Sequence, residues 1–216
     1  EYFQLSGGTT QASNTDPVGY IGDLTANGNN ATQADAASRG QLSSEGVICD
    51  GVDDFYRINS AALGAASSSN TFIGVVKIPN SDGFILGSQV GGKNFLILPI
   101  SVGTVRVAVD QLSRGFAADS TTSIDDNKFH IVTGRYDRAN QEIIVRIDGT
   151  LEGTSSTDDS DKTSAGTDAL LFARDPVSNY KAGTLGDNLQ IAKALSDAEI
   201  EIAEQEFAAR WGVTLP

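Results

Sequence analysis

Short runs in which apolar and polar residues alternate recur along most of this 216-residue chain. In TVRVAVD, residues 104–110, Val105, Val107 and Val109 share one side and Arg106 lies on the other. A period of two places successive side chains on opposite faces of a β-strand. Further strands are predicted in TFIGVVKI (71–78), GFILGS (83–88), NFLILPI (94–100), KFHIVTGRY (128–136), EIIVRID (142–148), DALLFAR (168–174) and GTLGDNLQIA (183–192).

The segments between these runs are rich in Gly, Asn, Asp and Ser, and the chain has 23 glycines. Such segments are typical of turns that join short antiparallel strands. Sandwiches of about 200 to 250 residues commonly fold as one unit. We therefore predict an all-β fold, an antiparallel two-sheet β-sandwich, with residues 1–216 forming a single domain.

Only the end of the chain changes its period. LSDAEIEIAEQEFAARWG, residues 195–212, begins with Ser196 followed three residues later by Glu199, which is the pattern of a capping box. Ile200, Phe207 and Trp211 then fall on one helical face, together with Ala203, and Gly212 can end the helix in a left-handed conformation. A short C-terminal α-helix is predicted over about residues 196–211, with Trp211 as its hydrophobic anchor on the sandwich.

Charge and cysteine content exclude several classes of function. Fifteen basic against 28 acidic residues give a formal net charge of −13, which opposes contact with phosphate backbones and anionic membrane surfaces. Nucleic acid is therefore not an expected partner. The single cysteine, Cys49, lies in an apolar run and is expected to be a buried, unreactive thiol. Membrane insertion is not expected either, because no run of about 18 apolar residues is present.

The chain contains no methionine and no recognisable leader segment. We expect it to be a processed product or a part excised from a larger protein.

The stretch VICDGVDDFYRI, residues 47–58, places Asp50, Asp53 and Asp54 between two apolar runs. One interpretation is part of a metal-binding loop. The favoured interpretation is a hairpin in which DGVDD joins two strands, with Gly51 at a positive φ angle. Three aspartates on a short hairpin are not expected to converge on one ion. Asp53 and Asp54 are instead expected to accept hydrogen bonds from loop amides.

Two other polar loops are candidates for ions. TDDSDKTSAGTD, residues 157–168, supplies Asp158, Asp159 and Asp161 as candidate calcium ligands, although the spacing fails the EF-hand pattern. The alternative is a solvated surface loop. DLTANGNNATQ, residues 23–33, gathers Asp23 and several asparagines around Gly28, and Asn-Gly by itself indicates a turn.

The order of several segments resembles the concanavalin A-like lectin/glucanase superfamily, in its laminin G-like branch. The segments are DPVGYIGDLTANGNNATQ (16–33), GVICDGVDDFYRI (46–58), FHIVTGRYD (129–137), IIVRIDGTLEG (143–153) and AGTLGDNLQIAKALSDAEIEIAEQEFAARWGV (182–213). The resemblance implies a jelly-roll sandwich of two curved antiparallel sheets. That fold is shared by glycan-binding modules, glycosidases, polysaccharide lyases, adhesins and virion proteins, so it does not assign a function alone.

The chain lacks the catalytic patterns that the resemblance implies for enzymes. Glucanases of the superfamily carry Glu-x-Asp-x-x-Glu or a shorter variant on one strand, and no strand here has it. Asp148 and Glu152 come closest to the carboxylate pair of a retaining glycosidase, but Gly149 predicts a tight turn between them. NYKAG, residues 179–183, is similar to the closing-strand motif of polysaccharide lyases, but their Gln-x-His strand is missing. The lone His130 is expected to have a structural role.

A glycan-binding site needs an aromatic ring beside side chains that bond hydroxyl groups. ARDPVSNYKAG, residues 173–183, holds Arg174, Asp175, Asn179 and Tyr180, and these four are the candidate ligand-binding residues. Tyr180 covering a sandwich edge is the alternative.

We expect a non-catalytic carbohydrate-binding or adhesion module, displayed extracellularly on a bacterial surface protein or a virion, with glycan as its partner and calcium as the candidate cofactor. The alternatives are a structural virion or scaffold domain that makes only protein contacts in a larger assembly, and a polysaccharide lyase or glycoside hydrolase.

Overall fold

The computed structural model describes residues 2–3, 10–24, 28–59, 69–80, 83–89, 94–100, 102–110, 116–157, 168–173 and 180–216. In these residues the strands are β1 (Tyr2–Phe3), β2 (Tyr20–Ile21), β3 (Ala31–Thr32), β4 (Gln41–Ser43), β5 (Gly46–Asp50), β6 (Tyr56–Asn59), β7 (Asn70–Lys77), β8 (Leu86–Gln89), β9 (Asn94–Pro99), β10 (Val105–Asp110), β11 (Ala117–Asp119), β12 (Phe129–Asp137), β13 (Glu142–Ile147), β14 (Thr150–Ser156), β15 (Asp168–Leu171) and β16 (Ala182–Ile191). A 3-10 turn covers Ala36–Ser38 and the helix α1 covers Asp197–Trp211.

The described strands form two antiparallel sheets. The nine-stranded sheet has the order β1-β2-β3-β6-β15-β8-β9-β10-β11, and the seven-stranded sheet has the order β14-β13-β12-β7-β16-β5-β4. Many neighbours in each sheet are distant in the sequence, as in a jelly roll, where the chain repeatedly crosses between sheets. The predicted all-β jelly-roll sandwich is confirmed.

The main core lies between the two sheets and follows the predicted alternation. Val105, Val107 and Val109 of β10 are buried in it, together with Phe72 of β7 and Val145 of β13. Each Å² of apolar surface that these residues remove from water contributes about 25 cal/mol to the stability of the fold. This burial is the main interaction that holds the two sheets together.

A second apolar layer lies on the outer face of the seven-stranded sheet, where α1 packs. Ile73 and Val75 of β7 contact Ile200 and Phe207 of the helix in one cluster. Strand β7 is therefore buried on both faces, which explains why its central residues, 72–76, include no polar side chain.

The ends of α1 are those predicted. Ser196 accepts a hydrogen bond from the amide of Glu199, the Glu199 carboxylate accepts one from the amide of Ser196, and Gly212 follows the helix with φ of 67°. Trp211 packs against Phe129 with ring centroids 5.0 Å apart, so its predicted role as an anchor is confirmed.

One charged contact crosses the interface between the helix and the sheet. Glu204, with 1% of its surface exposed, accepts hydrogen bonds from Arg146 of β13 at 3.1 and 3.2 Å and from the hydroxyl of Thr133 at 2.7 Å. A buried carboxylate needs such partners because transferring an isolated charge from water to the protein interior costs about several kcal/mol. This network positions α1 on β12 and β13.

No helix in the described part of the chain is long and apolar enough to cross a membrane.

Candidate functional site

The segment Asp50–Asp54 forms one corner of the sandwich. It leaves β5, which pairs with β4 and β16 in the seven-stranded sheet, and enters β6, which pairs with β3 and β15 in the nine-stranded sheet. The predicted hairpin is therefore wrong, because β5 and β6 belong to different sheets. Alternation of residues identifies a strand but does not identify its partners, which long-range contacts decide. We call residues 50–54 the acidic corner.

Backbone hydrogen bonds and one glycine shape the acidic corner. Asp54 Oδ2 accepts a bond of 2.9 Å from the amide of Asp50, and Asp50 Oδ1 accepts one of 2.7 Å from the amide of Val52. Gly51 has the predicted positive φ, 81°, and a Cβ there would lie 2.8 Å from Ala182 of β16. Asp53 accepts a 3.4 Å bond from the Ser38 hydroxyl rather than from an amide. The structural role expected for Asp54 is confirmed, and Asp53 bonds a side chain instead.

The three carboxylates of the acidic corner nonetheless converge. One oxygen each of Asp50, Asp53 and Asp54 lie within 4.8 Å of one another. The expectation that these aspartates would not meet was wrong, because the turn at Gly51 folds the segment back on itself. Carboxylate oxygens at this separation are the ligands that hard divalent cations prefer, so the acidic corner can hold a metal ion.

The electrostatics of the acidic corner fit a site that gains from a cation. Burial, with a smaller contribution from the charges of Asp50 and Asp53, raises the pKa of Asp54 to about 6, although the bond from the Asp50 amide opposes the shift. Burial, aided by Asp54 and Asp50, also raises the pKa of the Cys49 thiol. Cys49 is thus a buried, protonated thiol, as predicted.

The predicted glycan-binding loop ends beside this corner. Arg174, Asp175 and Asn179 lie outside the described residues, and Tyr180 is half-buried. The Tyr180 ring lies 5.9 Å from the ring of Phe55, the residue that follows the acidic corner. Two residues after Tyr180, Ala182 pairs with Asp50 across the sheet. The acidic corner and Tyr180, which are distant in the sequence, therefore share one end of the sandwich.

Arg57 adds a cation beside this aromatic pair. Its guanidinium lies 5.5 Å from the centre of the Phe55 ring. Phe55, Leu170 and Ala173 form a small buried cluster against which Tyr180 packs. The aromatic residues thus have a rigid base next to the acidic corner.

Lys181 fixes the loop end from inside. Its side chain is fully buried, and its ammonium donates to the carbonyl oxygen of Asn80 and, at 2.8 Å, to the Asn80 side-chain oxygen. Tyr180, the residue before Lys181, is therefore held close to the segment after β7 that contains Asn80.

The other loops proposed for ions have different outcomes. Asp158, Asp159 and Asp161 lie outside the described residues, so they stay a prediction. In the loop after β2, Asp23 accepts from the amide of Asn29 at 2.9 Å, and its own amide donates to Asn30 Oδ1 at 2.8 Å. That loop is closed by its own side chains, which agrees with its interpretation as a turn.

The residues considered for catalysis are bonded to other groups. Glu152 accepts hydrogen bonds from the amides and hydroxyls of Thr121 and Thr122. Asp148 lies at the predicted turn, accepts from the amide of Ile131 at 2.8 Å, and is 2.7 Å from His130 Nδ1. These contacts tie loops to strands, and each carboxylate is held by different neighbours.

His130 lies between two carboxylates. Its Nε2 is 3.1 Å from Asp126 and its Nδ1 contacts Asp148. Burial lowers the pKa of His130, but the hydrogen bonds and charges of Asp148 and Asp126 outweigh burial and raise it above its usual value. The histidine thus pins the segment before β12 to the β13–β14 turn.

The fold and this corner define the class of protein: a lectin-like jelly-roll domain with a candidate cation site at one end of its sandwich. A family model described as the concanavalin A-like lectin/glucanases superfamily, in its laminin G-like form, matches residues 50–201. The chain belongs to that superfamily.

Solved structures of low sequence identity share the fold. A heptameric SAP-like pentraxin from Limulus polyphemus has 16% identity and a TM-score of 0.53, over 64% of this chain and 70% of the pentraxin. The CBM40 of the Ruminococcus gnavus IT-sialidase, solved with bound α2,3-sialyllactose, has 17% identity and a TM-score of 0.59, over 76% of this chain and 98% of the module. The botulinum neurotoxin serotype D binding domain has 15% identity and a TM-score of 0.61, over 82% of this chain and 48% of that domain. No curated protein sequence matches the chain.

Proposed function

We propose that this protein is a non-catalytic carbohydrate-binding or adhesion module, and that it binds glycan at the end of the sandwich that carries the acidic corner and Tyr180. The observation that carries the proposal is the meeting of three convergent carboxylates with the Phe55–Tyr180 pair. The half-buried Tyr180 ring, with the buried Phe55 ring behind it, can provide apolar contact for a sugar ring, and a bound cation can coordinate the sugar hydroxyls.

Calcium is the proposed cofactor. Three carboxylates lie within reach of one ion. Ca²⁺ accepts about six to eight oxygen ligands in a flexible geometry, so water or sugar hydroxyls would complete its coordination shell. Mg²⁺ demands a more regular octahedron and gives up its waters reluctantly, so it is less suited to exchanging them for sugar hydroxyls. Arg174, Asp175 and Asn179 are proposed to form hydrogen bonds with further hydroxyls of the glycan.

Display outside the cell, on a bacterial surface protein or a virion, is part of the proposal. We expect a site with three protein carboxylates to bind calcium weakly, with a dissociation constant of about 10⁻⁴–10⁻³ M, as extracellular calcium modules do. The acidic surface, with a net charge of −13, opposes binding to nucleic acid, so neutral or weakly charged glycans are favoured.

A glycan array followed by calorimetry, each with calcium and with chelator, tests the proposal. We expect binding to at least one polysaccharide class that weakens about tenfold or more without calcium, in Asp50→Asn/Asp53→Asn and in Tyr180→Ala. Glu201→Gln, an exposed carboxylate on α1, is the matched control and should bind like the wild type. Absence of any glycan binding in both conditions would refute the proposal and favour a role in protein contacts alone.

A further inference from the structure

A cleft with a volume of about 400 Å³ lies at the opposite end of β5 from the acidic corner. Its lining residues are Ser43, Ser44, Gly46, Asp187, Arg210 and Trp211. They come from the β4–β5 turn, strand β16 and the last turn of α1, so three elements build it. Gly46 and Asp50 are the two ends of β5, which places the cleft and the acidic corner about 13 Å apart along the strand.

Two glycines hold the indole of Trp211 at this cleft. A Cβ on Gly186 would come within 2.8 to 3.0 Å of three ring atoms, and one on Gly46 within 3.3 Å of the ring. The indole therefore lies directly against strand backbone, and its remaining exposed part lines the cleft. Its Nε1 donates to Asp187 Oδ2 at 3.0 Å, which fixes the ring orientation.

Several polar groups of the cleft can form further hydrogen bonds with a ligand. Arg210 Nη1 is 2.7 Å from the same Asp187 Oδ2, so two donors share one carboxylate oxygen. Among the described residues, Asp187 Oδ1, the second terminal nitrogen of Arg210 and the hydroxyl of Ser44 have no hydrogen-bond partner. One acceptor, one cationic donor and one hydroxyl thus surround an exposed part of the only tryptophan in the chain.

From this geometry we infer that the cleft is a second binding site, for a neutral saccharide unit. A saccharide ring has an apolar face that fits the indole, and its hydroxyls can donate to Asp187 and accept from Arg210 and Ser44. The charges of Arg210 and Asp187 compensate each other, so the site has no excess charge for an anionic ligand. The volume suits one or two sugar rings.

This site extends the proposed function but does not rest on the acidic corner. Among the residues that the structure describes, Asp187 is the only carboxylate that lines the cleft, so binding there should not require calcium. The two sites therefore predict opposite responses to a chelator.

Because Trp211 is the single tryptophan of the chain and lines the cleft, its fluorescence reports ligand binding there. The probes are maltotetraose, cellotetraose, mannotetraose and chitotetraose, with sialyllactose as the anionic comparison, titrated against the full chain while tryptophan emission and acrylamide quenching are followed. We expect at least one neutral probe to give a saturable emission change and to protect the indole. The change should persist with chelator and in Asp50→Asn/Asp53→Asn.

Variants on the cleft rim complete the test without removing the reporter. Arg210→Ala and Ser44→Glu alter exposed side chains, and each should weaken the titrated affinity about tenfold or more. Gln205→Ala, an exposed residue of the same helix, is the matched control and should leave the affinity unchanged.

The inference is overturned if no neutral probe changes the tryptophan signal, if both rim variants titrate like the wild type, or if sialyllactose alone binds. If the wild type shows the tryptophan response but no calcium-dependent glycan binding, the function proposed for the acidic corner is refuted and the inference about the cleft is supported.

Discussion

The ring of Tyr180 lies against the ring of Phe55, with centroids 5.9 Å apart and planes inclined at 33°. Phe55 directly follows the acidic corner, and Tyr180 ends the predicted glycan-binding loop. The contact therefore couples a segment that can hold a cation to a segment proposed to hold a sugar.

A double-mutant cycle should detect this coupling. Phe55→Leu and Tyr180→Ala are each expected to lower the free energy of unfolding, with an interaction energy of about 0.5–1.5 kcal/mol between them, because a tilted aromatic pair adds to simple burial. Urea unfolding of the four proteins measures it. Strict additivity would show that the two rings are neighbours without energetic coupling.

Removing one charge from the acidic corner should stabilise the protein when calcium is absent. The pKa of Asp54 is about 6 in the folded state and 3.8 in the reference, so its contribution to stability is greatest below pH 4 and is lost as the pH rises through 6. We expect the free energy of unfolding of Asp54→Asn to exceed that of the wild type by about 1 kcal/mol at pH 7.5, because the amide avoids the cost of burying a charge and, to a smaller extent, the repulsion from Asp50 and Asp53, both of which solvent near the loop reduces. The difference should vanish near pH 4, as urea unfolding at both pH values will show.

Calcium should reverse the order of these two proteins. A cation offsets the repulsion only where the carboxylates are present, so saturating calcium should raise the midpoint of thermal unfolding of the wild type and not that of Asp54→Asn. Glu201→Gln should respond to calcium like the wild type. Equal stabilisation of Asp54→Asn would contradict a metal site at the acidic corner.

The buried pair Arg146–Glu204 should be costly to break. Glu204→Ala leaves the Arg146 guanidinium, 9% exposed, without its carboxylate, and we expect a loss of about 3–5 kcal/mol in the free energy of unfolding. Replacing both residues by methionine should recover part of that loss, because two apolar side chains need no ionic partner. Urea unfolding is the measurement.

An exposed ion pair provides the control for that experiment. Lys193 and Glu199 are 2.9 Å apart, with about half of each side chain in solvent, and Lys193→Ala should lower the free energy of unfolding far less than Glu204→Ala. A loss for Glu204→Ala as small as the loss for Lys193→Ala would show that water reaches the buried pair.

The single histidine allows a direct test of the contacts around it. Asp148 and Asp126 raise the pKa of His130 above 6.5, so its stabilising contribution is complete below pH 6.5 and is lost as the pH rises through the folded-state pKa. A ring-proton NMR titration should give a pKa above 6.5 in the wild type and a lower value in Asp148→Asn. A wild-type value below 6.5 would mean that burial outweighs the two carboxylates.

The strands and the helix could be predicted because their signals are local. Val105, Val107 and Val109 alternate along one strand, and the capping box of Ser196 and Glu199 lies within four residues. Such patterns follow from the periods of strand and helix, which do not depend on the rest of the chain. The family resemblance added the order of the segments.

The site could be predicted only in pieces. The sequence around Tyr180 indicates a ligand-binding loop, whereas the sequence around Asp50, Asp53 and Asp54 favours a hairpin. Their convergence depends on the turn at Gly51 and on the pairing of Asp50 with Ala182, a contact between distant parts of the chain.

The cleft at Trp211 also depends on contacts between distant parts of the chain. The sequence was sufficient to assign the tryptophan as the anchor of α1, since it falls on the apolar face of that helix. Its place beside Asp187 and Ser44 was settled only by the packing of the helix end on β16 and on the β4–β5 turn. Local periodicity decides which face of an element is apolar, whereas long-range pairing decides which polar groups meet, because the strands that neighbour each other in a jelly roll are distant in the chain.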